Sequence, residues 1–272
     1  MARDVVSAKL DIIFKKIFTD NKDMLHSFVA DMLDVPQESI SDIILTNPEI
    51  PPESPEGKFS RLDLNMKVDN RLVNVEIQLK NDTDYRDRTL FYWAKLYSSE
   101  LKSGEDYSEL KQTITINIIN FNMFGGDDYH TEVAAMIKGT DEVFSDKFSI
   151  HFFELKKVGK NPDPENRRKL WLQFINADSE EELEMISQTN VPIMQKAVNV
   201  IYDMSEDTKI REYARMREKA LHDEASALRQ AKDEGREEGR EEERANTERE
   251  KVRADALEAK VRKLEEMLNN RK

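Results

Sequence analysis

The chain has no cysteine in its 272 residues. That excludes disulfides, thiolate zinc sites and cysteine nucleophiles, and leaves carboxylates and histidines as the side chains open to a metal. Histidine is scarce too: His26, His130, His151 and His222 are scattered, with no i, i+4 pair. No apolar run approaches the roughly 18 residues that a membrane span needs. The opening Met1-Ala2-Arg3-Asp4-Val5-Val6 has no apolar stretch of secretory type. The expectation is a soluble, cytoplasmic protein without membrane contact. No P-loop sequence occurs, and Gly125, Gly126, His130 and His151 lack the context of a phosphate loop or zinc site, so ATP use is not expected.

Apolar residues make up 38% of the chain and charged ones 36%, so some part of it should lack a buried face. The net charge of −13 argues against a generally sticky nucleic-acid binder. From Lys209 to Lys272 there are 18 basic and 17 acidic residues, which leaves the first 208 residues with 24 basic against 38 acidic. The acidity therefore belongs to the globular part.

Leu10, Ile13, Phe14 and Ile17, then Leu25, Phe28, Val29 and Met32, recur at helical spacing, with Asn21 a candidate cap between two amphipathic helices. Ile43, Ile44 and Leu45 suggest a short strand. The stretch 47–57, with prolines at 48, 51, 52 and 55, reads as a loop without regular structure. Leu62, Leu64, Met66 and Val68 alternate with polar residues, as do Val73, Val75, Ile77 and Leu79, and Asp69-Asn70 separates the two sets. This is the pattern of a β-hairpin. Thr83 and Asp84 are candidate caps for a helix with a stripe of Leu90, Ala94, Tyr97 and Leu101, ending near Gly104. Residues 112–121 read as a buried strand and 144–155 as one or two more. Asn161-Pro162-Asp163-Pro164 punctuates the chain. Short helices follow, one with a capping box at Ser179 and Glu182 and one holding Ile193, Ala197, Val200 and Ile201.

Beyond Lys209 there is no proline, and Arg, Glu, Lys and Ala dominate, as in a long exposed helix or coiled coil. Leu257, Val261, Leu264 and Leu268 form an a/d seam of barely two heptads that suits self-association. The stretch 232–250 has no large apolar residue and carries Gly235 and Gly239, which reads as a spacer or a disordered segment. Three divisions result: residues 1–160, a helical extension over 161–208, and a charged tail over 209–272.

If Asp69-Asn70 closes the hairpin as a two-residue loop, Val68 faces Arg71, Asp63 faces Glu76 and Arg61 faces Gln78. Side chains alternate along a strand, so Asp63, Glu76 and Gln78 share one face. Carboxylates about 5 Å apart repel by roughly 3 kcal/mol at an effective dielectric near 20. A divalent cation offsets that, and an all-oxygen set suits Mg²⁺ or Mn²⁺, which can polarise a scissile phosphate or acidify a bound water. The alternative is the solvated face of a half-exposed hairpin shielded by Arg61 or Lys67. Arg86 and Arg88 suit a phosphate clamp at a helix N-terminus, or else pair with Asp84 and Asp87. Trp93, Tyr92 and Tyr97 either stack on bases or belong to the core.

The order of helices, strand, hairpin with Asp63 and Glu76-Ile77-Gln78, helix and strand resembles the core of the PD-(D/E)XK phosphodiesterase superfamily. That core is an α/β fold with a mixed sheet flanked by helices, and here Gln78 stands where lysine is usual. The segments Lys9-Leu10-Asp11-Ile12-Ile13-Phe14-Lys15, Arg61-Leu62-Asp63, Asn74-Val75-Glu76-Ile77-Gln78 and Tyr92-Trp93, with Leu96-Tyr97, Gly104 and Tyr107, are similar to its recombination-promoting nuclease and transposase branch. So are Arg217-Glu218-Lys219-Ala220 and the Glu-Gly-Arg repeats after it. The resemblance implies a metal-dependent DNA endonuclease tied to recombination or mobile elements, with DNA as partner and Mg²⁺ or Mn²⁺ as cofactor. Asp63 and Glu76 would be the ligands, Glu76 also a proton acceptor, and Gln78 would take the lysine position. Glutamine is usual in that branch, but a neutral amide can only orient water or a phosphate oxygen, which implies slower or more conditional cleavage. Asp11 is either an accessory ligand or a residue that favours a helix N-terminus. The competing reading, from a different class, is a catalytically silent scaffold of the same fold that self-associates through its C-terminal helix.

Overall fold

The structure is a computed structural model that describes residues 4–46, 49–50, 60–61, 64–81, 83–101 and 104–269. It has two compact units, 1–215 and 216–272. The first begins with helices α1 (Asp11–Asp20) and α2 (Lys22–Leu33). Strands β1 (Ile43–Leu45), β2 (Glu49–Ile50), β3 (Ser60–Arg61), β4 (Leu64–Val68) and β5 (Arg71–Gln78) follow. Helix α3 (Tyr85–Ser99) leads to β6 (Gln112–Ile119), β7 (His130–Met136) and β8 (Val143–Glu154). The chain then forms α4 (Arg167–Asn176), α5 (Glu180–Ser187), α6 (Pro192–Glu206) and α7 (Thr208–Asn269).

Six strands form one mixed sheet in the order β1-β4-β5-β6-β8-β7. The pairs β1–β4, β4–β5 and β7–β8 are antiparallel, whereas β5–β6 and β6–β8 are parallel. The expected hairpin is present in the expected register, with Val68 opposite Arg71 and Leu64 opposite Val75. Asp69 turns the loop at φ +49°, a left-handed conformation that Asp and Asn tolerate better than most residues. Its Oδ1 accepts from the Ser41 and Asp42 amides at 3.0 Å, which ties the hairpin loop to the approach to β1.

Pairing sorts the two sheet faces. Val73, Val75 and Ile77 lie beside Ile114, Ile116 and Ile118 on one face, all buried. Asn74, Glu76 and Gln78 lie beside Thr115, Asn117 and Ile119 on the other. Helix α3 covers the polar face, so Asn74, Thr115 and Asn117 are buried although polar. Tyr85, Ile119, Phe121, Ile150 and Phe152 form a core cluster there, with Trp93 and Phe148 packed against it. A second, aromatic core joins α1, α2 and α4: Phe18 and Phe28 have ring centroids 4.5 Å apart, and each lies 5.7 Å from Trp171. Helices α4, α5 and α6 pack on one another, with α4 also on α2 and α6 on both α1 and α2, within this first unit.

Several sequence expectations are corrected. Glu49–Ile50 forms a two-residue strand with Ser60–Arg61, despite the flanking prolines. Arg61 thus pairs with Glu49, and no ladder pair among the described residues joins it to Gln78. Asn21 precedes α2, but its Nδ2 donates back to the Ile17 carbonyl at 2.8 Å rather than capping that helix. The buried stripe of α3 is Tyr85, Thr89 and Leu96; Leu90 is 51% exposed and Ala94 is exposed. The helix faces a polar sheet surface, so its inward residues include hydroxyl-bearing ones. Strand β7 has no counterpart in the sequence reading. Ser179 does cap α5 through the Glu182 amide, while the Glu182 carboxylate accepts from the Asp178 N–H.

The second unit, 216–272, is helical through Asn269, and the helix continues through Gly235 and Gly239. Of the two readings of 232–250, the disordered segment is not what forms: the stretch is helical throughout. Its mean composition is strongly polar, and nearly all described side chains in it are exposed. No helix among the described residues is long and apolar enough to cross a membrane.

Candidate active site

Strand β5 positions the central residues. Its parallel pairing with β6 sets Glu76 beside Asn117 and Gln78 beside Ile119. The Glu76 side chain is only 12% exposed, so it does not belong to a solvated outer face. Helix α3 brings Arg88 over it, with Nη2 3.8 Å from Glu76 Oε1. The Arg88 guanidinium also lies 4.9 Å from the Tyr85 ring centroid, a cation–π contact that fixes its height above the sheet. Tyr85 is anchored in turn: its hydroxyl donates to Asn117 Oδ1 at 3.1 Å, and Asn117 Nδ2 donates to the His151 carbonyl at 3.1 Å. Glu76 is thereby framed by an arginine and a tyrosine from α3 and an asparagine from β6.

Tyr92, one turn further along α3, is coupled to the same charges. Burial pushes its hydroxyl above the ordinary value; Arg88 opposes that shift, while Glu76 and Asp84 add to it. Trp93 and Tyr97 are stacked at 4.9 Å, and Trp93 Nε1 donates to the Thr113 carbonyl at 2.9 Å. Trp93 also meets Phe148 at 4.5 Å, which makes it core rather than a base-stacking platform.

Gln78 Nε2 donates to the Lys80 carbonyl at 2.9 Å, so the amide is oriented by the backbone just beyond the strand. Arg86 Nη2 donates to the Met123 carbonyl at 3.1 Å, and its guanidinium lies 5.3 Å from the Phe124 ring. Contacts of Arg86 and Arg88 therefore include the Met123 carbonyl, the Phe124 and Tyr85 rings and Glu76. Asp11 lies in the first turn of α1, where its Oδ1 accepts from the Ile12 amide at 2.8 Å. Asp63 lies outside the described residues. Among those described, no group of three or more His, Asp or Glu side chains is gathered to hold a metal.

Two features escaped the sequence reading. Glu154 is fully buried at the end of β8 and pairs with Lys157 at 2.7 Å. Its Oε1 accepts from the Met123 amide at 2.6 Å, which holds the loop whose carbonyl receives Arg86. Nothing in the local sequence signals a buried ion pair. The second is a chain of side chains across β7 and β8. His130 Nε2 and His151 Nδ1 are 3.0 Å apart, His151 Nε2 is 2.9 Å from Ser149 Oγ, and Ser149 donates to Glu132 Oε1 at 3.0 Å. Burial lowers the His130 pKa and brings that of His151 down to about 4, with the neighbouring histidine and Arg168 acting in the same direction and Glu132 against it. Only the β7–β8 pairing brings these residues together.

No curated protein and no solved structure matches the chain. The family of PD-(D/E)XK nuclease family transposases does match, over residues 8–231, which takes in the whole six-stranded sheet and its covering helices. With strand, hairpin, helix and strand in this order and a nearly buried Glu76 two residues before Gln78, the chain belongs to the PD-(D/E)XK nuclease transposase family.

Proposed function

We propose that the protein is a divalent-metal-dependent DNA endonuclease that acts in recombination or in the movement of mobile elements. The observation that carries this reading is the placement of Glu76: a nearly buried carboxylate on a central strand, facing an arginine and two residues from an oriented amide. Asp63 adjoins Leu64 as Glu76 adjoins Val75, the ladder partner of Leu64, and this supports assigning both carboxylates to one site. The donor chemistry fits a hard cation, since two carboxylates leave most positions to water and phosphate oxygens.

A bound Mg²⁺ or Mn²⁺ would supply polarisation of the scissile phosphate and acidification of a bound water. Asp63 and Glu76 would hold the ion, and Glu76 would also accept a proton from the attacking water. Gln78, whose amide is held by its Nε2 bond to the Lys80 carbonyl, orients that water or a phosphate oxygen without adding charge. Arg86 and Arg88, at the start of α3, hold the flanking phosphate, and Asp11 is an accessory residue. The seam in the charged tail holds copies of the chain together.

A second reading rests on the 38 acidic residues against 24 basic in the first 208 and on Gln78 at the usual lysine position. It is a silent scaffold that binds without cutting. Nicking of supercoiled plasmid by the pure protein, with Mg²⁺, Mn²⁺ or chelator, separates the two. The endonuclease reading requires metal-dependent cutting that disappears in Asp63→Ala and in Glu76→Ala. Plasmid left intact in every metal, or cutting that survives both substitutions, contradicts it.

A further inference from the structure

In the unit 216–272 the helix leaves a row of apolar side chains uncovered: Leu257 is 63% exposed, Val261 51% and Leu264 60%. Their spacing of four and three fixes the heptad without alternatives. Leu257 and Leu264 fall at d and Val261 at a, with Ala254 at the preceding a and Leu268 at the following one. Exposed rows of this kind, in a helix otherwise built of charge, are seams for another helix.

The flanking charges identify that helix. Positions g carry Arg253 and Lys260, and positions e carry Glu258 and Glu265. When two copies run parallel and in register, each g residue meets the e residue five positions later in its partner. Arg253 then meets Glu258 and Lys260 meets Glu265, twice each by symmetry. When the copies run antiparallel, g meets g and e meets e, so every pair is of like charge. Valine at a with leucine at d favours two strands over three or four.

We infer that residues 254–268 pair with the same residues of a second copy as a parallel, in-register two-stranded coiled coil. This rests on the proposal that the tail holds copies together and adds the partner's direction, register and number. Both chains then enter the seam from the same end.

The absence of cysteine makes the test direct. Full-length protein carrying Glu250→Cys, a d position just before the seam, is oxidised and run on a non-reducing gel, while sedimentation over a concentration series gives the mass of the unmodified chain. In a parallel pair the two introduced thiols face each other. In an antiparallel pair centred on Val261 they lie beyond opposite ends of the seam, roughly 33 Å apart. A dimer by sedimentation with efficient disulfide formation is expected. Glu258→Lys with Glu265→Lys should weaken that dimer about tenfold, since four attractive pairs become repulsive. Leu257→Asp with Leu264→Asp should abolish it without disturbing the exposed helix.

A dimer that fails to cross-link and ignores the charge reversal overturns the parallel arrangement but leaves self-association standing. A dimer that survives the Leu257 and Leu264 substitutions overturns the seam as its site. A monomer at all concentrations overturns both.

Discussion

Glu76 Oε1 and Arg88 Nη2 stand 3.8 Å apart, one on the central strand of the sheet and the other on the helix that covers it. A cation held by Glu76 competes with this arginine for the same carboxylate. Arg88→Gln should therefore tighten Mg²⁺ binding about fivefold, the worth of a partly exposed ion pair near 1 kcal/mol, while weakening DNA binding. Calorimetric Mg²⁺ titration and a DNA-binding assay read the two effects separately. A loss of both would assign Arg88 to holding the fold instead.

Gln78 is oriented by the Lys80 carbonyl. Gln78→Ala should cost one to two orders of magnitude in cleavage rate, the usual effect of losing a donor aimed at developing charge. The melting temperature should move little, because a single hydrogen bond contributes only about 1 kcal/mol. Gln78→Lys should keep or raise the rate in a single-turnover cleavage assay. A Gln78→Ala variant that cuts at the native rate would remove Gln78 from the site.

Glu154 and Lys157 form a buried pair, their side chains 1% and 8% exposed. Glu154→Ala leaves Lys157 without its counter-charge and the Met123 amide without an acceptor, and should destabilise the protein by about 3 kcal/mol. Chemical denaturation measures this directly. The loop at Met123 receives Arg86, so the same variant should also loosen proteolytic protection around residue 123.

His130 and His151 are both held below the ordinary histidine pKa, chiefly by burial. The folded state therefore binds fewer protons than the unfolded chain between about pH 4 and the ordinary histidine value. Stability conferred by the neutral pair is fully present above that window and is lost as pH falls through it. The unfolding free energy from denaturation curves should drop over this range by the order of 1 to 3 kcal/mol. In His151→Gln the drop should shrink, and an unchanged slope would exclude the pair as its source.

The hairpin could be read from the sequence because alternation is strict on both sides of Asp69-Asn70, and a two-residue loop leaves one register. That Glu76 and Gln78 share one face of β5 was legible for the same reason. Helix α3 was placed correctly but turned to the wrong face. Its hydrophobic stripe points outward at Leu90, while Tyr85 and Thr89 turn toward a sheet surface of Asn74, Thr115 and Asn117. Strand β7 was hidden because its alternation is weak and bulges shift its pairing near Ala134 and Ala135. With it went the histidine pair, which exists only across β7 and β8. The tail's glycines suggested a spacer or a disordered segment, yet the helix runs through Gly235 and Gly239 within a long charged sequence of strong helix formers.

The most direct test of the central claim separates chemistry from binding at the two carboxylates. Wild type, Asp63→Asn and Glu76→Gln are compared for plasmid cleavage in Mg²⁺, for DNA affinity in chelator and for melting temperature. The account predicts that both variants fold and bind DNA at least as well as wild type but cut at least a hundredfold more slowly, in line with the loss of a charge that acts on the transition state. Cleavage at the wild-type rate in either variant would contradict it.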